Sequence, residues 1–229
     1  MKLIFLNAWH GQVGDAMTDF LKHHAPSTDV FCFQEAGEPM RELAAAPLRE
    51  FREFATYKFN GDHCAFPQAT YVRKSAAVLH AATLLESGND TGLALYVHIK
   101  FGNGHAHICN LHGMPQPGDK LDSPGRLRQS QELCRFFDDK HGPKIIGGDF
   151  NLLPRTRSIE IFEEHGYRDL IKEFGIATTR NRLAWEMHPT SKQYFSDYVF
   201  VSPELKIRSF SVPNLEISDH LPLILEVEE

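Results

Sequence analysis

A mixed-sheet α/β sandwich is the fold class this sequence predicts, on three observations. Short apolar, β-rich runs recur along all 229 residues, helical patterns separate only some of them, and no repeat or Ser/Gly linker divides the chain. Strict strand–helix alternation would demand a parallel sheet, and evenly spaced strands an all-β sandwich; this order is neither. The whole chain, 1–229, is therefore expected to form one domain.

Taken in order, 2–6 (KLIFL) reads as a first strand and 16–24 as a helix with Met17, Phe20 and Leu21 on one side. The run 29–33 (DVFCF) predicts a second strand. The stretch 39–51, rich in Ala, Leu, Glu and Arg, predicts a helix. Strands follow at 76–81, 93–101 and 105–111. Residues 113–123 (GMPQPGDKLDS) are Pro/Gly-rich and polar, so they form a loop, and their position directly after His112 suits a substrate-facing one. A helix is expected over 124–140, with Leu127, Leu133, Phe136 and Phe137 as its apolar members, and a shorter one over 158–165. Strands at 144–146, 194–201, 206–212 and 221–227 complete the set.

Composition narrows the function. The 24 Lys and Arg against 30 Asp and Glu leave a net charge of −6, which weighs against a sequence-independent nucleic-acid binder, since phosphate contacts dominate that affinity. Cys32, Cys64, Cys109 and Cys134 form no CxxC pair and read as reduced, small core residues. No leader-like composition opens the chain and no run reaches the length of a membrane span, so a cytoplasmic, monomeric protein is expected.

Chemistry-bearing residues gather at expected strand ends. Asn7 closes the first strand, Glu35 follows the second, and Asn110 and His112 share a face at the end of a third. Asp149 and Asn151 follow the apolar Ile145-Ile146. Asp197 precedes YVFVS, and Asp219-His220 precede LPLILEVE. Singly, turns and solvated strand ends explain each of them. If the later strands run antiparallel to their neighbours, all fall on one rim. Carboxylate and amide oxygens such as those of Glu35 and Asn7 suit a hard cation, Mg²⁺ or Mn²⁺, and a histidine beside a carboxylate suits proton transfer near neutral pH.

In order along the chain, Asn7, Phe33-Gln34-Glu35, Gly148-Asp149-Phe150-Asn151, Ser196-Asp197-Tyr198 and Ser218-Asp219-His220-Leu221-Pro222 resemble the successive motifs of the endonuclease/exonuclease/phosphatase superfamily. The resemblance implies a four-layer α/β sandwich, two mixed sheets flanked by helices, and a divalent-metal-dependent phosphoesterase, most simply a phosphodiesterase or nuclease. It implies Glu35 as the main metal ligand with Asn7 beside it, and Asp149 and Asn151 positioning water and phosphate. Asp197 would support a histidine or the phosphate, and Asp219 would orient His220, a base or phosphate contact. His112, as the second histidine, resembles the deoxyribonuclease and sphingomyelinase branches. After Asn7 the chain reads Ala8-Trp9-His10 where several branches carry an acid, which points to one cation with His10 nearby. The alternatives are a small-molecule, lipid or tyrosyl–DNA diesterase, or a silent phosphate-binding module.

Basic residues near the motifs, Arg126, Arg155 and Arg180 foremost, are candidates for substrate contact, together with Arg128, Arg157 and Arg182. A solvated helix face or salt-bridged loop is the plainer account of most. Trp185, Tyr194 and Phe195 are candidates for stacking, with core packing as the plainer account. His105, His107 and Cys109 share a strand face, but they lack a fourth ligand and read as hairpin surface.

Overall fold

The computed structural model describes residues 1–60 and 63–228, apart from the side chains of Asn60, His63, Cys64 and Phe101. The expectation for Cys64 therefore lies outside the described residues. The chain begins with β1 (Lys2–Asn7), α1 (Asp15–His24), β2 (Val30–Gln34) and α2 (Glu38–Ala45). A run of strands follows: β3 (Phe51–Asn60), β4 (His63–Arg73), β5 (Val78–Leu84), β6 (Leu93–Phe101) and β7 (Gly104–His112). Then come α3 (Pro124–Asp138), β8 (Lys144–Asp149), α4 (Arg157–Glu164), β9 (Arg168–Asp169), α5 (Leu170–Glu173) and α6 (Arg182–Met187). Three strands finish the chain: β10 (Asp197–Val201), β11 (Ile207–Ser211) and β12 (Leu223–Val227).

The strands form two six-stranded sheets, ordered β11-β12-β1-β2-β4-β3 and β5-β6-β7-β8-β10-β9. Both are mixed, because β1 runs parallel to β2 and β7 to β8 while the other pairs are antiparallel. Alternation along the strands sorts side chains into layers. Leu3, Phe5, Val30 and Cys32 face the second sheet, on the side of Ile108, Ile145 and Val199. Cys109, Ile146 and Phe200, on the outer face of that sheet, lie on the side of α3 and α4, and all belong to one cluster. Ile4, Leu6, Phe31 and Phe33 point the other way, onto Met17, Phe20 and Leu21 of α1 and Met40 and Ala44 of α2. Burying each such large apolar side chain stabilises the fold by roughly 1.5–3 kcal/mol. The result is the expected four-layer sandwich. Cys32, Cys109 and Cys134 are free and buried, as small core residues. Among the described residues, no helix is long and apolar enough to cross a membrane.

Three expectations need correction. The helix predicted over 39–51 ends at Ala45, because Pro47 has no N–H to extend the ladder and its ring obstructs a further turn. Phe51 instead opens β3, and the β3–β4 hairpin was not foreseen: Arg52, Glu53 and Lys58 dilute the apolar alternation of what proves to be an edge strand. The strand expected at 144–146 continues to Asp149 through two glycines. A Cβ at Gly147 would lie 2.8 Å from the Phe5 ring, and one at Gly148, whose φ is +132°, would lie 2.2 Å from the Leu111 carbonyl oxygen. Glycine at 147 lets the two sheets approach there, and glycine at 148 lets β8 keep its place against β7 within its own sheet.

Candidate active site

Register brings the strand ends to one rim. Asn7 pairs with Gln34 across β1 and β2, and Asp149 lies between His112 on β7 and Asp197 on β10. The segment before β12 completes the rim, where the Ser218 hydroxyl donates to the Asn7 carbonyl at 2.7 Å. Behind the rim, buried amides tie the sheets together: Gln34 Nε2 donates to Asn110 Oδ1 at 2.5 Å, and Asn110 Nδ2 donates to Phe33 O, Ala69 O and Thr70 Oγ1. Such a bridge specifies one alignment of the two sheets, since any slip strands a buried polar group.

Asp149 is the hub. Its Oδ1 accepts from the Asn151 backbone N–H at 2.9 Å and from Ser196 Oγ at 2.5 Å, and its Oδ2 accepts from Asn7 Nδ2 at 3.0 Å. Lys120 Nζ in turn donates to Ser196 Oγ at 2.6 Å, so a buried ammonium backs the carboxylate through one hydroxyl. Burial is the largest influence on Asp149 and would raise its pKa. The combined pull of His220, Lys120, His112 and the Ser196 hydroxyl outweighs it and holds the carboxyl well below the usual range. Burial lowers the pKa of Lys120, against the neighbouring aspartates.

His220 is oriented from both sides. Its Nδ1 donates to Asp197, 2.9 Å from each carboxylate oxygen, and its Nε2 accepts from Arg180 Nη1 at 2.7 Å. Arg180 Nη2 donates to Asp219 Oδ2 at 2.7 Å. Burial and the guanidinium favour a neutral ring, but Asp197, Asp219 and Asp149 together outweigh them and raise the His220 pKa. His112 differs: burial lowers its pKa despite Asp149 and Glu35, and its Nδ1 has no hydrogen-bond partner among the described residues.

Glu35 faces the opening, with Asn7 Nδ2 donating to its Oε1 at 3.1 Å and His10 Nε2 3.6 Å from its Oε2. Its half-buried carboxylate is a suitable hard donor for Mg²⁺ or Mn²⁺, so the residues present fit such a cation. Asn7 itself is turned the other way from the expectation of a ligand. Its Oδ1 accepts from the Trp9 N–H at 3.1 Å, and the amide nitrogen, not the oxygen, faces the carboxylates. Asp149, Asp197 and His220 also bring three ligand atoms within 4.8 Å of one another, but Asn7 and Ser196 already donate to Asp149, and His220 to Asp197. Trp9, His10, Glu35, Lys120 and Asn151 all hold positive φ, between 44° and 58°. Such strain, of order 1–3 kcal/mol per residue, persists only where surrounding structure imposes it, and it gathers at this rim.

Glu35, Lys120, Asp149, Asn151, Arg180 and His220 line a cleft of about 430 Å³ that also takes in Trp185, His188 and Gln193. The structure brings together Asn7, Glu35, His112, Asp149, Asn151, Asp197, Asp219, His220 and Arg180, and it places two expected arginines elsewhere. Arg126 is fully buried and donates to the carbonyls of Met114, Pro115, Pro117 and Leu121, so it shapes the loop after His112 and leaves no donor for substrate. Arg155 lines a separate cleft with Ile159 and Phe195. Arg128, Arg157 and Arg182 are surface ion pairs with Asp90, Glu164 and Glu216. The imidazoles of His105 and His107 are joined by His98, not by Cys109, which is buried in the core. Both ring nitrogens of His107 are engaged, by the Tyr96 hydroxyl at 2.6 Å and the His141 carbonyl at 2.9 Å. Lys120 is the residue that sequence reasoning missed; its only signal was a lysine inside the Pro/Gly loop following His112.

No curated protein matches the chain by sequence. Solved structures match its fold throughout. An endonuclease/exonuclease/phosphatase from Bacteroides vulgatus aligns with a TM-score of 0.78 at 19% identity, covering 99% of this chain and 98% of that one. A mannosyl-6-phosphatase of Bacteroides thetaiotaomicron gives 0.74 at 17% identity over 100% of both chains. TDP2 from D. rerio, complexed with a single-strand DNA product, gives 0.69 at 14% identity over 100% and 99%. The model of the endonuclease/exonuclease/phosphatase family matches residues 4–220, a span that runs from β1 to His220 and holds every residue of the rim, so the chain belongs to that family.

Proposed function

We propose that this chain hydrolyses a phosphate ester, a diester in preference to a monoester, using a water activated at His220 and a bound Mg²⁺ or Mn²⁺. The observation that carries this reading is the cleft floor: an ionised, buried Asp149 between His220, His112 and the Lys120–Ser196 pair, with Arg180 and Glu35 at the opening. Such a floor offers hydrogen-bond donors and cationic groups to phosphoryl oxygens while keeping a proton acceptor beside them. Glu35 would hold the cation, with Asn7 fixing the carboxylate. Bound there, the cation supplies charge neutralisation on the phosphoryl oxygens.

The chain's own residues account for the proton. Asp197 fixes the Nδ1–H tautomer of His220, leaving Nε2 as the basic atom. Arg180 covers that atom until an anion competes for its guanidinium. An entering phosphoryl group, which binds arginine in a bidentate fork, draws Arg180 away and frees Nε2 to take a proton from water. Asp149 is too weak a base for that step and serves as the fixed anion that orients donors around it. Its depressed pKa and the raised pKa of His220 support the histidine as the base. His112, neutral at neutral pH, offers an N–H to the leaving or phosphoryl oxygen.

The net charge of −6 favours a small or chain-end diester over an extended nucleic acid. The test is hydrolysis of bis(4-nitrophenyl) phosphate, 4-nitrophenyl phosphate and labelled oligonucleotides with Mg²⁺, Mn²⁺ or chelator, by wild type and Asp149→Asn. The expected result is cation-dependent diester cleavage by wild type, reduced by roughly 10²–10³ in the variant. Cleavage of the monoester alone would overturn the diester preference. No cleavage of anything, or equal rates in chelator, would overturn the reading.

A further inference from the structure

A second cleft of about 670 Å³ opens beside the first and shares Glu35, Pro115 and Gln116 with it, so the two meet at the proposed cation site. Their chemistry differs. The first is lined by Lys120, Arg180 and His188 and suits an anionic group. The second is walled by Phe59, Phe66, Met114, Pro115 and Pro124, with the buried His112 at its inner end. Phe66 sits edge-on to the His112 ring, with centroids 5.1 Å apart and planes at 74°. Its one lysine is not free: Lys58 Nζ donates to the carbonyls of Leu85, Gly88, Thr91 and Gly92. The nearby Arg128 is held by Asp90. Among the described residues, no cationic side chain of this wall therefore keeps a free hydrogen-bond donor for a ligand, and Glu35 adds a carboxylate where the two clefts meet.

From this asymmetry we infer that the second cleft is the leaving-group subsite of the proposed phosphoesterase, and that it takes an uncharged, flat, aromatic alcohol. The inference rests on the functional reading above. A phosphoryl group at Glu35 and Asp149 has one substituent in each cleft. The anionic remainder lies toward Arg180 and Lys120, and the ester oxygen that departs lies toward His112. His112 lines the second cleft and not the first, so its ring stands on the side from which the ester oxygen departs. An apolar wall gains by covering an aromatic ring, through area burial and edge-to-face contact with Phe66. A leaving group with a further phosphate or carboxylate would be desolvated there without a free cation to meet it, a cost that excludes it. On this account the substrate is not a polyanion threaded through both clefts.

Three methyl phosphodiesters with Mn²⁺ test this, their leaving alcohols being 4-hydroxybenzamide, 4-hydroxybenzoate and trifluoroethanol. Intrinsic reactivity cancels when each variant is compared with wild type. Phe66→Leu, which keeps apolar bulk but loses the flat ring, is expected to lower kcat/KM for the benzamide ester about fivefold more than for the trifluoroethyl ester. Asn89→Lys, which adds a cation at the rim of the cleft, is expected to improve the benzoate ester relative to the benzamide ester about threefold. Equal losses on aryl and alkyl esters, or an unmoved benzoate-to-benzamide ratio, would overturn the inference and leave the hydrolytic reading standing. Should no diester be hydrolysed, that reading falls, and saturation-transfer NMR decides the subsite without turnover. Transfer to 4-hydroxybenzamide that weakens in Phe66→Leu upholds an aromatic pocket, and equal transfer to both proteins overturns it.

Discussion

Histidines gather at both ends of the β6–β7 hairpin, His112 with the neighbouring His220 at the rim and three more toward the turn; burial lowers His112 and His107 alike, whereas His220 is raised. At the rim, His112 closes β7 across from Asp149, and His220 lies among Asp149, Asp197 and Asp219. Toward the hairpin turn, His98, His105 and His107 contact one another, with no carboxylate among their partners in the described residues. Both sets are shielded from solvent to some degree. Burial lowers His107 to about 4, helped by His98, His105 and Lys144, whereas three carboxylates raise His220. The same imidazole becomes a base or an inert packing group according to the charges that face it.

The largest effect that would break this comparison is on turnover. His220→Ala is expected to lower the hydrolytic rate by roughly 10²–10⁴, the range of a lost general base. His98→Ala and His105→Ala, at the other end of the hairpin, are expected to change it less than about twofold. A steady-state assay on a diester decides it; comparable losses at both ends would remove the distinction.

Asp197→Asn sharpens the point by leaving His220 in place. The amide keeps the shape but no longer stabilises a charged ring. The acid limb of the kcat/KM profile, expected in wild type above the ordinary histidine value of 6.5, should move to lower pH. The plateau should fall by roughly tenfold to a hundredfold as tautomer control is lost, a smaller effect than removing the base. A limb unmoved by this substitution would mean that His220 is not the titrating group.

Lys120→Met probes support at longer range. Lys120 touches Asp149 only through Ser196, so it is a positioning residue. About a tenfold loss is expected, with a rise in the apparent Mn²⁺ requirement left small because Glu35 is untouched. Partial recovery in Lys120→Arg would separate charge from packing.

How far this rim was legible depends on the range of each interaction. Asn7, Glu35, His112, Asp149 and Asp197 were found because a polar residue closing or opening an apolar run is a local signal, and parallel or antiparallel pairing then carries such ends to one side. Lys120 was missed and Arg126 misplaced for one shared reason. They lie six residues apart, in and just after the same Pro/Gly loop, and only the path of that loop decides which of them looks into the cleft and which is wrapped by carbonyls. Nothing in residue type distinguishes them. The β3–β4 hairpin was lost similarly, because an edge strand tolerates the charges of Arg52, Glu53 and Lys58 that make it resemble a helix in composition. The β6–β7 partners failed at register: Cys109 shares parity with His105 and His107, but pairing places His98 directly across from His107.

The smallest expected effect tests the remote end by stability. His107 is held near 4 in the folded protein, below its ordinary value of 6.5. Between those values the unfolded chain binds a proton that the folded chain excludes, so stability falls as pH drops from 6.5 toward 4 and this contribution is constant below that. His107→Gln removes the titration while keeping a donor for the His141 carbonyl and an acceptor for the Tyr96 hydroxyl. His24 on α1, lowered to about 4 mainly by burial and remote from the hairpin, still titrates in the variant and serves as an internal reference for the remaining slope. The fall in Tm between pH 6.5 and 4.5 is expected to be smaller in His107→Gln than in wild type by about 2 °C. An identical fall in both proteins would mean that His107 takes up its proton as readily when folded as when unfolded, and the contrast between the two ends of the hairpin would then rest on His220 alone.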